Sequence, residues 1–281
     1  MVNKNKFAGE RLETYIYDAN AIKHLHRYAI ASKFVKEKVV LDIASGEGYG
    51  SNLMSQYASF VYGVDIDKET IEKAKLKYKK SNIQFIVGST SNIPLEDKSV
   101  DVVISYETLE HHDEHERMFK EIKRVLRPNG VSIISTPDKR FYSDMRNYNN
   151  EFHVKELYKS EFIDLVKKFF AKYQLLTQSY LNGNSIVLDE ISRSVIEFHT
   201  GDYSYSKKID SPPQFMIAII SDSNFEKHYN SIYDGSSILK NNADNQKKND
   251  QVYNSNSYRL GHALLLPFKF LKKIRSYRNK Y

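Results

Sequence analysis

Two stretches of this chain carry residue types at spacings that can do chemistry, and a third can hold an ion. The first runs Val39-Val40-Leu41-Asp42-Ile43-Ala44-Ser45-Gly46-Glu47-Gly48-Tyr49-Gly50-Ser51. A continuous apolar run suits a parallel strand buried on both faces. The glycines that follow permit an abrupt turn and a close ligand approach, and the start of a helix at Ser51 offers unpaired N–H groups there. The second, Phe60-Val61-Tyr62-Gly63-Val64, ends in Asp65, an acidic residue placed to accept both hydroxyls of a ribose. The third is Glu107, Glu110 and His111, at i, i+3 and i+4. On one helical turn these share a face and could ligate a divalent ion such as Mg²⁺, or simply line a polar loop. His111 could equally serve as a base near neutral pH.

The elements that must position these groups alternate strand and helix. Apolar runs predict strands at 38–43, 60–64, 83–87, 102–105, 131–135, 173–180 and 215–220, with a return at 184–188. Helical spacing predicts helices at 20–36, 51–57, 68–80, 114–126 and 160–170. Arg127-Pro128-Asn129-Gly130 is a proline–glycine turn between helix and strand. A glycine turn of this kind also occurs in dinucleotide enzymes, but here the third glycine comes one residue early.

Motif, acidic strand end and the Leu126-Arg127-Pro128-Asn129-Gly130 passage together resemble class I S-adenosylmethionine (SAM) methyltransferases of the type 11 kind. Gly9-Glu10-Arg11, then His24-Leu25-His26-Arg27-Tyr28, then the first stretch, resemble a subgroup associated with surface polysaccharide and glycan synthesis. Phe152-His153-Val154-Lys155-Glu156-Leu157 resembles another segment of that subgroup. Two departures stand out: Ser45 replaces the usual Cys, and Ser89-Thr90 replace the usual acidic adenine partner.

The resemblance implies an α/β fold: a Rossmann-like, seven-stranded, mostly parallel sheet with helices on both faces and an antiparallel last strand, followed here by a basic C-terminal tail. It implies SAM as cofactor. Asp42, Ala44, Gly46, Glu47, Gly48 and Tyr49 would surround the cofactor's amino-acid end, with Arg27 on its carboxylate and Asp65 on its ribose. Ile66 would flank the adenine, Ser89 and Thr90 would lie at its edge, and Glu107 would lie near the methionine. His153 is the first choice for a base or orienting residue, with His111 and Glu110 beside it, although His153 could also cap its loop. No metal is required; Glu107, Glu110 and His111 are the candidates if one is used.

Composition narrows the rest. A hydrophobic content of 41% supports a real core, and the absence of cysteine excludes thiolate chemistry and disulfides. The net charge of +7 lies entirely in 258–281, which holds seven basic residues and no acidic one. That distribution argues against a nucleic-acid-binding face. With Leu264, Leu265, Phe268, Leu271 and Ile274 interleaved among the cations, the tail could lie on an anionic membrane, dock on a partner or fold back on its own domain. The expected organisation is an N-terminal cap helix region (1–37), the methyltransferase domain (38–226) with substrate-binding insertions at 139–152 and 189–214, a polar linker (227–257) and the tail (258–281). A polar N-terminus and the lack of a long apolar run point to the cytoplasm, either free or at the inner face of the membrane.

The leading reading is an O-methyltransferase acting on a sugar hydroxyl. A quinone-like or other phenolic acceptor, with Mg²⁺, is a second. A third is a non-catalytic SAM-binding scaffold of a membrane glycan-assembly complex.

Overall fold

The computed structural model describes residues 12, 14–190 and 196–255. Nine strands form one sheet: β1 (Val39–Ile43), β2 (Phe60–Asp65), β3 (Ile83–Val87), β4 (Val100–Tyr106), β5 (Leu126–Pro137), β6 (Lys172–Leu181), β7 (Asn184–Asp189), β10 (Phe215–Ser221) and β11 (Ser231–Asp234). Their order is β11-β7-β6-β10-β5-β4-β1-β2-β3. The five strands from β3 to β5 are parallel, whereas β10 runs antiparallel to both β5 and β6.

The seven-stranded Rossmann-like core is therefore extended by two edge strands. β6 and β7 are joined by Asn182-Gly183, both at positive φ, the geometry of a tight turn that matches strand twist. β11 then pairs with β7. Within the 189–214 insertion, β8 (Phe198–Gly201) and β9 (Ser206–Ile209) form a separate hairpin.

Alternate residues along β1 and β4 feed opposite faces of the sheet, so both strands read as unbroken apolar runs. Leu41, Ile43 and Val103 meet α4 (His115–Val125) and α6 (Lys159–Phe169) through Phe119, Ile122, Phe162 and Val166. Val40, Val102 and Ile104 meet α1 (Ala19–Val35) and α2 (Tyr49–Met54) through Ile30, Ala31, Val35 and Met54. Each such buried side chain contributes about 1.5–3 kcal/mol relative to exposure. Asp18 caps α1, accepting N–H bonds from Asn20 and Ala21 at 2.8 and 2.9 Å. A further helix, α3 (Lys68–Lys77), covers β3 through Ile71, Ala74 and Phe85, and a short one, α5 (Lys139–Tyr142), follows β5.

The segment expected as a polar linker, 227–257, contains β11 and a 19-residue helix, α7 (Ser236–Asn254). Its composition prevents it from building a core, but helical hydrogen bonds are local, and no Gly or Pro interrupts 236–254. The chain divides into two compact units at Gly235/Ser236, so α7 belongs to the second. The tail at 258–281 and Gly9-Glu10-Arg11 lie outside the described residues. Among the described residues, no helix is long and apolar enough to cross a membrane.

Candidate functional site

The carboxyl ends of β1, β2 and β4 open into one cleft of about 600 Å³, on the side where strand order reverses between β1 and β4. Two non-glycine residues in left-handed conformation flank it: Ala44 (φ 60) after β1 and Glu107 (φ 50) after β4. Such backbone is strained and concentrates at functional positions.

The turn after β1 depends on two glycines for different reasons. Gly48 (φ 85) caps α2, and a Cβ there would sit 2.6 Å from the Phe85 ring. Gly46 (φ 54) would have nothing within 4 Å of its Cβ, because that side is open. The Gly46 N–H donates to Asp65 Oδ2 at 2.9 Å and the Asp67 N–H to Asp65 Oδ1 at 2.9 Å, so the carboxylate at the end of β2 is fixed beside the open turn.

Asp42 is buried beneath this turn and accepts from Ser51 Oγ at 2.7 Å and from the Tyr28 hydroxyl at 3.1 Å. Burial pushes its carboxyl up to about 6, against the opposing effect of those two donors. The Tyr28 ring sits edge-on to Tyr49 and Tyr106, at 5.6 and 5.1 Å. The Tyr106 hydroxyl donates to the Arg27 carbonyl at 2.8 Å, tying α1 to β4.

Arg27 is 1% exposed. Its Nε donates to Gln178 Oε1 at 2.7 Å, and Nη1 lies 3.1 Å from Glu107 Oε1. Nη2 is buried with no hydrogen-bond partner. A buried guanidinium nitrogen without an acceptor is costly unless a ligand supplies one.

The expected face of Glu107, Glu110 and His111 is not formed. The helical turn spans only Leu109–His111, and the left-handed backbone of Glu107 turns that side chain towards Arg27 and the Ser135 hydroxyl, which donates at 2.7 Å. The donor atoms that do converge are those of Glu110, His111 and His153, all within 4.8 Å of one another. Val154 and Lys155 bring His153 there by donating backbone N–H bonds to the Glu110 carbonyl, at 2.7 and 3.0 Å. Glu110 is buried, and desolvation together with the charge of Glu107 holds its carboxyl well above the usual range.

Hydrogen bonds assign the tautomers of the two histidines. The Phe152 carbonyl can only accept, so His111 carries its proton on Nδ1, 3.1 Å away, and Nε2 is its basic nitrogen. Asn150 Oδ1 accepts the Phe152 N–H at 3.1 Å, so its amide nitrogen donates to His153 Nε2 at 3.0 Å. His153 therefore carries its proton on Nδ1, which donates to Glu156 Oε1 at 2.5 Å. Its ring stacks on Tyr142 at 5.4 Å and meets His111 edge-on at 5.3 Å.

The cleft thus brings together Arg27, Asp42, Ala44, Gly46, Tyr49, Asp65 and Ile66 with Ser89, Thr90, Glu107, Glu110, His111 and His153. Glu47 and Gly48 do not line it: Glu47 pairs with Lys77 at 2.5 Å and Gly48 is covered by Phe85. Lys23, Tyr142 and Phe215 also line the cleft and were not assigned roles from sequence. The spacing of Lys23 four residues before Arg27, on one helix face, is the signal that could have found the first of them.

Residues 41–134 match the family described as "Methyltransferase domain". A Mycolicibacterium smegmatis protein named "probable S-adenosylmethionine-dependent methyltransferase" is 36% identical over 169 residues, covering 56% of this chain and 65% of that protein. The ubiquinone biosynthesis O-methyltransferase of Pelagibacter ubique is 32% identical over 114 residues, covering 40% and 48% of the two chains. The chain thus spans less than two thirds of these relatives' own length. In structure it is similar to the YcgJ protein of Bacillus subtilis, with a TM-score of 0.54 at 20% identity, over 72% of this chain and all of that one.

Proposed function

We propose that the chain is a SAM-dependent methyltransferase, a reading supported by the match of residues 41–134 and by the similarity to the Mycolicibacterium smegmatis protein, and that it methylates a sugar hydroxyl during glycan or polysaccharide assembly. The observation that carries the cofactor half of this reading is the open cradle at Gly46, walled by the fixed Asp65 carboxylate and by Arg27 with its orphan Nη2. These residues fit the group: Asp65 would hold the ribose hydroxyls, Arg27 the amino-acid carboxylate, and Ile66, Ser89 and Thr90 the adenine. When bound, SAM supplies an already activated methyl group.

The chain's own work is then alignment and one proton transfer. Tyr142 and Tyr148 line the cleft beside His153 and form the wall assigned here to the acceptor. His111 Nε2 takes the proton of the acceptor hydroxyl, an effect of about 10²–10⁴-fold in rate. His153, with Nδ1 given to Glu156 and Nε2 engaged by Asn150, instead orients the ring wall through Tyr142. The glycan class of acceptor rests on the subgroup resemblance and on this aromatic wall. Transfer of labelled methyl from SAM to a panel of mono- and oligosaccharides tests it; labelling of phenols alone would contradict it.

One observation favours a second reading. Glu110, His111 and His153 could hold a divalent ion beside a phenolic acceptor, with His153 Nε2 exchanging its Asn150 hydrogen bond for the ion. Turnover of a catechol that is abolished by chelator would select this reading. Membrane contact through 258–281, and with it a place at the inner membrane face or in an assembly complex, rests on the charge of that segment.

A further inference from the structure

One cation of the cleft, Lys23, has no anionic partner among the described residues. Lys23 is 8% exposed, lines the cleft, and its ammonium makes no hydrogen bond or ion pair among the described residues. It sits over the Phe215 ring, 4.5 Å from the centroid, and the Arg27 guanidinium sits over the same ring at 4.7 Å. Arg146 stacks on Tyr142 and Tyr148, at 5.3 and 5.1 Å, and is close enough to disfavour the Lys23 charge.

The available counter-charges are engaged elsewhere. Glu107 is paired with Arg27. Asp18 is turned to the N–H groups of α1. Burial, with the charge of Glu107, shifts Glu110 towards its neutral form, and desolvation does the same for the half-buried His24 next to Lys23. Cation–π contact with Phe215 does not replace an anion for an ammonium drawn largely out of water.

We propose that the acceptor carries an oxyanion, a phosphoryl or carboxyl group, bound by Lys23, with Arg146 adding positive charge from beside the cleft. Phosphorylated sugars, nucleotide-linked sugars and uronic acids are the matching substrate classes. This inference rests on the sugar methyltransferase reading above. The state of Lys23 supports it: burial first, then Arg27 and Arg146, lower its ammonium to about 8, while Glu107 and Asp18 oppose them. An anion seated beside it restores the full charge at neutral pH.

The test is binding of glucose 1-phosphate, glucuronate and methyl glucoside, each with and without S-adenosylhomocysteine, to the parent protein, Lys23→Met, Lys23→Arg and Arg146→Gln. The expected result is at least tenfold tighter binding of one anionic sugar than of methyl glucoside. That preference collapses in Lys23→Met, is partly kept in Lys23→Arg, and weakens severalfold in Arg146→Gln. Raising the pH through 8 should weaken anion binding by the parent but not by Lys23→Met. Whether the phosphate or the uronate is preferred identifies the oxyanion. Two results overturn the inference: no charge preference in the parent, or a Lys23→Met protein that loses S-adenosylhomocysteine instead, which would make Lys23 a cofactor ligand. A parent protein that fails to bind S-adenosylhomocysteine contradicts the methyltransferase reading itself, a separate outcome.

Discussion

Arg27 and Glu107 meet at 3.1 Å, joining α1 to the strained turn after β4, and the arginine is almost completely buried. The pair closes one end of the cleft and leaves Arg27 Nη2 without a partner. Removing one member of a buried pair strands the other, at a cost of about 3–5 kcal/mol. Arg27→Met should therefore lower stability by about that amount in urea denaturation, and Arg27→Met/Glu107→Gln by less than the sum of the single changes. Additive losses would show that the two residues do not act as a pair.

Gly46 and Gly48 separate a binding effect from a folding effect. Gly48→Ala drives a Cβ to 2.6 Å from Phe85 and should cost about 1–3 kcal/mol of stability. Gly46→Ala meets no atom within 4 Å, so its expected signature is weakened cofactor binding with a smaller loss of stability. Thermal melts and calorimetry on the same two variants read both quantities.

His111 and His153 have different expected phenotypes because their hydrogen bonds differ. His111→Ala should reduce kcat by about 10²–10⁴-fold with unchanged S-adenosylhomocysteine affinity. Asn150→Ala, which removes the donor to His153 Nε2, should raise KM for the acceptor more than it lowers kcat. Equal kcat losses in both would return the base role to His153.

Three histidines predict acid sensitivity. Burial lowers His26, His112 and His228 to about 4, with His228 also acting on His26, His115 on His112 and Lys33 on His228. Their unfolded value is near 6.5, so between pH 6.5 and 4 the unfolded chain binds more protons than the folded one. Stability is thus fully present above pH 6.5 and falls as pH drops through that window, by up to about 1.4 kcal/mol per unit for each histidine. Urea midpoints at pH 7.5, 6 and 5 check this, and His26→Gln, whose amide can still bond Ser185 and Ser231, should flatten the slope.

What the sequence made legible was local. The glycine spacing and the apolar run marked β1 and its turn because both are determined within a dozen residues. β11 escaped because its four residues alternate between exposed and half-buried, and the strand exists only through pairing with β7. Helix spacing placed Glu107 with Glu110 and His111, but positive φ at Glu107 broke the helical turn that the spacing assumed. The surroundings of Lys23 were hidden for a related reason: Phe215 and Arg146 reach it from distant parts of the chain.

The central claim is that Asp65 and the Gly46 turn form a SAM site, and calorimetric titration of S-adenosylhomocysteine tests it most directly. Micromolar binding by the parent, weakened at least tenfold in a folded Asp65→Ala protein, is the predicted result, since hydrogen bonds to a charged group contribute about 1.5–3 kcal/mol. Unchanged affinity in Asp65→Ala, or no binding by the folded parent, would contradict it.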